Sequence, residues 1–438
     1  MNAAENPHRI VVVGGGAGGL KLVTRLGDRL GKRNKAHITL IDATLTHLWK
    51  PLLHEVAVGT LDSYEDDLDY LAHARTHYFH FRLGYMDGLD RAKQEITLAP
   101  VVDETGEEVI PRRTLSYDTL VIAVGSVSND FGTPGVSEHC IYLDTREQAD
   151  RVQRRLLNSY LHADAQQEPL REGQLTIAIV GAGATGVELA AELYKAAQQM
   201  AFYGLDRIVP ERDIKSVIIE AADTILPGLP NRLITPTEAE LRRIGVQIYT
   251  GEQVVEATEQ GIRTKSGRFI PAEIKIWCAG IKAPEFLRGL NGLETNRKNQ
   301  LLVNQNLQVT RDENIFALGD CAACPQPGSD RPVPPRAQAA GQQAAVLAKS
   351  LVRRLDHQPL RNFIYRDYGS LISLSHNAVG NLMGNLLGSV MLEGRLARMA
   401  YISLYKRHQL SLHGLSWVSL MTLVNLLQRR TQPRLKLH

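Results

Sequence analysis

The chain writes one local pattern twice. Ile10 through Val13 run into Gly14, Gly16, Ala17, Gly18 and Gly19, and Ile177 through Val180 run into Gly181, Gly183, Thr185 and Gly186. Each copy is a short β-branched stretch, then G-x-G-x-x-G, then an apolar helical pattern opening at Leu20 or at Val187. The first glycine permits the tight turn and the second lets the backbone approach a pyrophosphate. The third lets helix pack on strand while the helix N-terminus faces the phosphates. A single such turn can be purely structural. Two of them, each followed by a strand ending in an acid, predict two dinucleotide sites on one polypeptide. Those strands are Ala36 to Asp42 and Ile214 to Glu220. Asp42 lies 26 residues beyond Gly16 and Glu220 lies 37 beyond Gly183, the extra length being taken up by polar insertions. A carboxylate at that strand end accepts both ribose hydroxyls of an adenosine. With no arginine beside it, it repels a 2′-phosphate, so a nicotinamide cofactor bound by the second copy is expected to be NADH.

The 438 residues predict two or three domains of an α/β protein. Four cysteines, Cys140, Cys278, Cys321 and Cys324, are too few for a disulfide framework and fit a reducing compartment. The polar start, Met1 to His8, has no signal-peptide pattern, so the cytoplasmic side is expected. Charge is unevenly spread. Arg395, Arg398, Lys406, Arg407, Arg429, Arg430, Arg434 and Lys436 follow Glu393 without a single acid, which leaves a body of −5 within a total of +3. Between the basic clusters, Gln409 to Leu427 carries no formal charge. It is diluted by serines, Gln409, His413, Thr422 and Asn425, so a helix lying in an anionic membrane surface is a better reading than a spanning one. The alternative is a helical hairpin packed on the body or on a second copy in a homodimer. No nucleic-acid partner is expected.

Along the chain, residues 1–125 and 295–375 are expected to form one nucleotide domain, with a polar β-meander inserted near 79–116. Residues 126–294 form the second domain, and 376–438 the membrane-surface segment. Tyr117 to Gly125 reads as a strand ending in Ala123 and Gly125, and Ile274 to Gly280 as its counterpart ending in Ala279 and Gly280. Leu307 to Asp320 reads as a strand delivering an acid after glycine. If it joins the first sheet, the second domain is inserted in the first.

These phrases together resemble the two-dinucleotide-domain flavoproteins that include glutathione reductase. The resemblance implies two Rossmann-like domains, with non-covalent FAD on Gly14, Gly16, Ala17, Gly18, Gly19, Asp42, Lys50, Ala123, Gly125 and Asp320. It implies NADH on Gly181, Gly183, Thr185, Gly186, Glu188, Glu220, Ala279 and Gly280. A disulfide reductase of this kind carries a redox cysteine pair just after the first ribose-binding strand. Thr46 to Gly59 contains none. Cys321 and Cys324 form a C-x-x-C, but they follow the Gly-Asp acid and have no second pair, which leaves them weak metal candidates, and no metal is expected.

Ala337, Gln338, Ala340 and Gln342 make an A-Q-x-A-x-Q tract similar to that of the type II NADH:quinone oxidoreductases, bacterial members in particular. The phrase Leu48 to Ala57 and the basic tail fit the same family. The resemblance implies a peripheral enzyme on the cytoplasmic face of the cell membrane, passing electrons from NADH through FAD to a membrane quinone without pumping protons. Gln338 and Gln342 would face the quinone, as amides that donate to a neutral ring without a standing charge. Glu188 would sit between the nicotinamide and quinone sides, where it would orient the nicotinamide carboxamide or relay a proton, with Lys50 pairing to it. Competing readings are a sulfide:quinone oxidoreductase, which needs flavin-proximal cysteines, a reductase of a small iron–sulfur protein, and a redox sensor that binds NADH only as a ligand.

Overall fold

The computed structural model describes residues 7–61, 67–204, 207–374, 377–384, 388–394 and 414–428, with 397, 399, 401, 403, 406, 409, 410, 412 and 435. It divides into two compact units. The first comprises Met1–Trp49, Asp67–Val127 and Ile281–Arg366, and the second Lys50–Asp66, Ser128–Gly280 and Asp367–His438.

The first unit is built on a five-stranded parallel sheet. Its strand order is Ile315–Ala317, Thr119–Ile122, His8–Val13, Ala36–Asp42, His80–Leu83. Ile10, Val11, Val12 and Val13 are all nearly inaccessible, as a central parallel strand covered on both faces demands. The helix Gly19–Arg29 turns Leu20, Leu22, Val23 and Leu26 inward, all fully buried, each contributing about 1.5–3 kcal/mol of apolar burial. It packs against the helix Ala337–Leu355. A three-stranded antiparallel meander, Met86–Asp90, Glu95–Leu98 and Arg113–Ser116, stands where the sequence placed one.

One element differs from its sequence reading. Leu307 to Asp320 is not one strand: Leu307 takes φ +70°, Gln308 bridges antiparallel to Phe316, and only Ile315–Ala317 enters the sheet. The chain doubles back through the polar run Arg311 to Asn314, whose Asp312 side chain accepts the Asn314 N–H at 2.9 Å as an Asx turn does.

The second unit repeats the plan. Its parallel sheet runs Ile141–Tyr142, Ile274–Trp277, Thr176–Val180, Lys215–Ile219, Gln247–Tyr249. The helix Arg146–Ala165 opens on a full capping box between Thr145 and Gln148, worth about 1 kcal/mol. Against it and the helix Ala184–Phe202 lies the short helix Leu53–Ala57. A three-stranded antiparallel sheet, Gly369–Leu374, Asn377–Gly384 and Gly388–Glu393, follows. The helix Leu415–Gln428 then starts after Gly414, whose φ is +79°. Of the eight basic residues after Glu393, Lys406 is described, and Arg395, Arg398, Arg407, Arg429, Arg430, Arg434 and Lys436 lie outside the described residues. Among the described residues no helix is long and apolar enough to cross a membrane.

Candidate functional site

In the first unit the glycine turn is locked from inside and open outside. Gly14 has φ +100°, and a Cβ there would sit 2.4 Å from the Ala123 carbonyl oxygen. A Cβ on Gly19 would overlap the Gly14 carbonyl oxygen, and one on Gly18 would strike Leu318. Gly16 is the opposite case: it is exposed, and a Cβ would meet nothing within 4 Å. Helix and strand therefore need Gly14 and Gly19 for packing, while Gly16 keeps a space clear for something outside the protein. Ala17 beside it is half-exposed. The Gly15 N–H donates to Asp42 Oδ2 at 2.6 Å, and Tyr70 closes the turn by donating to the Gly15 carbonyl at 2.9 Å. Thr44 donates to Asp42 Oδ1 through both its N–H and its hydroxyl, at 3.0 and 2.9 Å. These bonds fix the carboxylate at the edge of the turn.

The second unit reproduces this geometry. Gly181 has φ +101°, with its missing Cβ 2.8 Å from Ala279, and a Cβ on Gly186 would lie 2.0 Å from the Gly181 carbonyl oxygen. Gly183 again faces open space, and Ala184 and Thr185 at the helix start are exposed. The Ala182 N–H donates to Glu220 Oε2 at 2.7 Å, as Gly15 does to Asp42, and Ala222 N–H holds Oε1 at 2.8 Å. Gly280 takes φ +65° at the neighbouring strand end. Each turn thus presents backbone N–H groups, a helix N-terminus and a fixed acid around a vacant Cβ position, which suits a dinucleotide pyrophosphate and its ribose.

Elsewhere in the first unit, Asp320 Oδ2 accepts the Ser126 hydroxyl at 2.9 Å, just beyond Gly125 at φ +72°. Gly319, at φ +76°, donates its N–H to Gln343 Oε1 at 2.7 Å, and Gln300 donates to the Asp320 carbonyl at 2.9 Å. Gln343 is buried, and the sequence reading passed over it. Ala337 starts its helix and Gln338 is half-buried. Gln342 spends both ends of its amide on the Arg366 backbone, donating to the carbonyl at 2.8 Å and accepting the N–H at 3.1 Å.

Cys321 and Cys324 are both buried, and burial raises their thiols to about 12 and about 11. Their sulfurs donate to backbone carbonyls of Ile122, Leu318 and Pro325. Among the described residues no group of three or more His, Cys, Asp or Glu is placed to hold a metal ion.

Glu188 lies one turn into its helix and is 6 % exposed. Burial pushes its carboxyl up to about 7, opposed by the nearby His54 and the Ser373 N–H, and reinforced by Glu55 and Glu192. The Ser373 N–H donates to Oε1 at 3.0 Å, and His54 Nδ1 stands 3.8 Å from Oε2. His54 is 1 % exposed, and among the described residues its Nε2 has no hydrogen-bond partner. Lys50 was expected to pair with Glu188. Instead its ammonium reaches Asp144 Oδ1 at 3.0 Å, with Asp144 Oδ2 taking the Ser128 N–H at 2.7 Å. The side chain of Lys50 is 47 % exposed. An ammonium stays near water, whereas an imidazole can enter the interior uncharged.

The profile of the pyridine nucleotide-disulphide oxidoreductases matches residues 8–344. A curated type II NADH:quinone oxidoreductase of Haemophilus influenzae is 43% identical over 98% of this chain and 99% of its own length. The chain belongs to the type II NADH:quinone oxidoreductases. A Staphylococcus aureus member of that family is 29% identical over 87% of this chain and 91% of its own. In fold, the chain is similar to the NDH2 of Plasmodium falciparum solved with NADH, at TM-score 0.81 and 18% identity, covering 98% of this chain and 99% of that one. For a type II NADH:quinone oxidoreductase, two nucleotide cradles and a cysteine-free segment after Asp42 form a coherent set. Family membership implies that a flavin and NADH bind. The residues that sequence reading missed here, His54, Tyr70 and Gln343, share one trait: each is a buried polar side chain whose partner lies well apart in the sequence. The only available signal for His54 was its position in the cysteine-free phrase Leu48 to Ala57.

Proposed function

We propose that the protein oxidises NADH and reduces a membrane quinone by two electrons, without pumping protons. The observation that carries this reading is the matched pair of cradles, one acid-fixed turn per unit, with no thiol pair following Asp42. Non-covalent FAD is assigned to the first, held by Gly14, Gly16, Ala17, Gly18, Gly19, Asp42, Ala123, Gly125, Asp320, Ala337 and Gln338. When bound, the flavin supplies hydride acceptance from NADH and two-electron donation to the quinone.

The chain's own residues do the positioning. Gly16 leaves room for the pyrophosphate, and Asp42, fixed by Gly15 and Thr44, retains lone pairs for ribose hydroxyls. NADH takes the second cradle on Gly181, Gly183, Thr185, Gly186, Glu220, Ala279 and Gly280. The Glu220 carboxylate accepts the ribose hydroxyls there and repels a 2′-phosphate. Glu188, whose carboxyl is raised by burial to about 7, can take up or give up a proton near neutral pH, and Gln338 and Gln342 are assigned to the quinone side. Gln342 would first have to release the Arg366 backbone.

Membrane contact is assigned to the tail. Trp417, Leu420 and Leu423 follow one another at a spacing of three along their helix, and the two leucines are 60% and 57% exposed. An apolar stripe of this kind beside basic clusters suits shallow insertion into an anionic surface, and the enzyme is assigned as a peripheral protein of the cytoplasmic face.

The deciding test is anaerobic. NADH should bleach the flavin absorbance of the FAD-loaded protein, and a soluble quinone should restore it. Bleaching without restoration by quinone would contradict the reading, and no bleaching at all would indicate a protein that uses NADH only as a ligand.

A further inference from the structure

In the second unit, Phe131 combines two features that packing does not explain. Its backbone takes φ +55° and that of Gly132 takes φ +68°. Two positive values in succession favour asparagine, aspartate or glycine at the first place, and a bulky side chain there is an outlier. Asn129 and Asp130 stand immediately before it, so the chain sets the favoured residue types one step away and gives the strained place to an aromatic. The ring is also 66% exposed, so apolar burial does not offset the strain. Backbone strain of this kind gathers at ligand sites.

The turn that carries the ring is fastened to the second cradle. The Phe131 N–H donates to Asn129 Oδ1 at 3.0 Å, the Gly132 N–H to Asp130 Oδ1 at 3.1 Å, and the Thr133 N–H to the Asp130 carbonyl at 2.9 Å. The Asn129 N–H donates to the Gly280 carbonyl at 3.3 Å. In return the buried Trp277 donates through Nε1 to the Asn129 carbonyl at 2.9 Å and to the Ala279 carbonyl at 3.1 Å. The tip of the ring leans over Gly280, where a Cβ would collide with Phe131 Cζ and Cε2. Gly280 is itself exposed, and its neighbour Ala279 abuts the Gly181 turn. The ring thus rests its tip on the strand end and leaves most of its surface open beside the nucleotide turn.

Strand order decides which half of a dinucleotide reaches this ring. Lys215–Ile219, Thr176–Val180 and Ile274–Trp277 are neighbours in one parallel sheet, so their C-terminal ends share an edge. Glu220, after the first of these strands, takes the adenosine ribose, and the turn at Gly181 and Gly183, after the second, takes the pyrophosphate. A dinucleotide laid along that edge carries its nicotinamide riboside past the third strand, over Ala279 and Gly280. We propose that Phe131 binds the nicotinamide half of NADH, its ring stacking on that half above Gly280. This rests on the assignment of NADH to the second cradle made above. The dihydronicotinamide is neutral and nearly flat, and an exposed phenyl face meets such a ring by stacking, without a hydrogen bond. The strained turn holds that face out of the core and in place for the ligand.

The test uses the full-length, flavin-loaded protein and follows flavin bleaching by NADH in stopped flow. Phe131→Gly removes the ring at a place that glycine accepts without strain. In that variant the NADH concentration giving half the limiting rate should rise by about fivefold or more, as loss of a base–aromatic stack does. Phe131→Tyr keeps the aromatic face and should stay within about twofold of the wild type. Phe131→Leu keeps apolar bulk without that face and should weaken NADH as Phe131→Gly does, so the comparison survives a glycine variant that fails to fold. ADP-ribose, which lacks the nicotinamide, should compete with NADH equally well in every variant. An unchanged half-saturating concentration in Phe131→Gly and Phe131→Leu, an affinity loss that Phe131→Tyr shares, or an equal weakening of ADP-ribose would overturn the stacking role and leave the NADH assignment standing. Absence of bleaching in the wild type would instead overturn that assignment, and the stacking role with it.

Discussion

At the scale of single residues, Glu188 gives the most direct handle on stability. Its carboxyl titrates near 7 in the folded chain against an ordinary 4.5, so between those values the folded state binds the proton more tightly than the unfolded one. Its contribution to stability is therefore present below about 4.5 and is lost as pH rises through 7. Glu188→Gln removes that dependence. Relative to the wild type it should gain on the order of 2–3 kcal/mol on going from pH 4.5 to pH 8, measured by thermal unfolding at both pH values. A difference that does not change with pH would contradict the assignment. Legibility at this scale was uneven. Gly14, Gly16, Asp42, Gly181, Gly183 and Glu220 were readable because a backbone constraint demands those residue types. Gln343 and His54 were not, because their contacts are made with partners well apart in the sequence, Gly319 in one case and Glu188 in the other.

At the scale of the strand-turn-helix element, the two cradles make separable predictions. Gly183 faces open space without a positive φ, so Gly183→Val should fold normally and keep its flavin. Its new side chain would fill the pyrophosphate position, raising KM for NADH by about tenfold or more. A fall in flavin content with KM unchanged would mean the two cradles have been assigned in reverse. Glu220 should set the choice of nucleotide. A phosphate charge about 4 Å away is opposed by about 1 kcal/mol in bulk water and about 4 kcal/mol near a protein surface. NADH should accordingly be preferred over NADPH in kcat/KM by about tenfold or more, and Glu220→Ser should narrow the gap. The β-branched strands and glycine turns were legible from period and spacing. Leu307 to Asp320 was not, since the bridge from Gln308 to Phe316 that folds it back is formed by residues whose propensities also suit a continuous strand.

At the scale of the whole molecule, the doubled sheet order followed from the doubled sequence pattern, while the tail did not follow from composition alone. Removing everything after Glu393 would test membrane binding poorly, because Ala397, Leu412, Val418 and Leu435 are buried and their loss would disturb the fold. Leu420→Glu with Leu423→Glu changes only exposed positions. That variant should lose sedimentation with anionic liposomes while keeping its turnover with a soluble quinone. Retained liposome binding would move the membrane contact elsewhere.

The most direct measurement of the central claim is the stoichiometry of NADH oxidation by the FAD-loaded, full-length protein with a soluble quinone in weakly buffered solution. The account predicts one quinone reduced and one proton taken up for each NADH consumed. NADH oxidation that does not depend on quinone, or none at all, would contradict it.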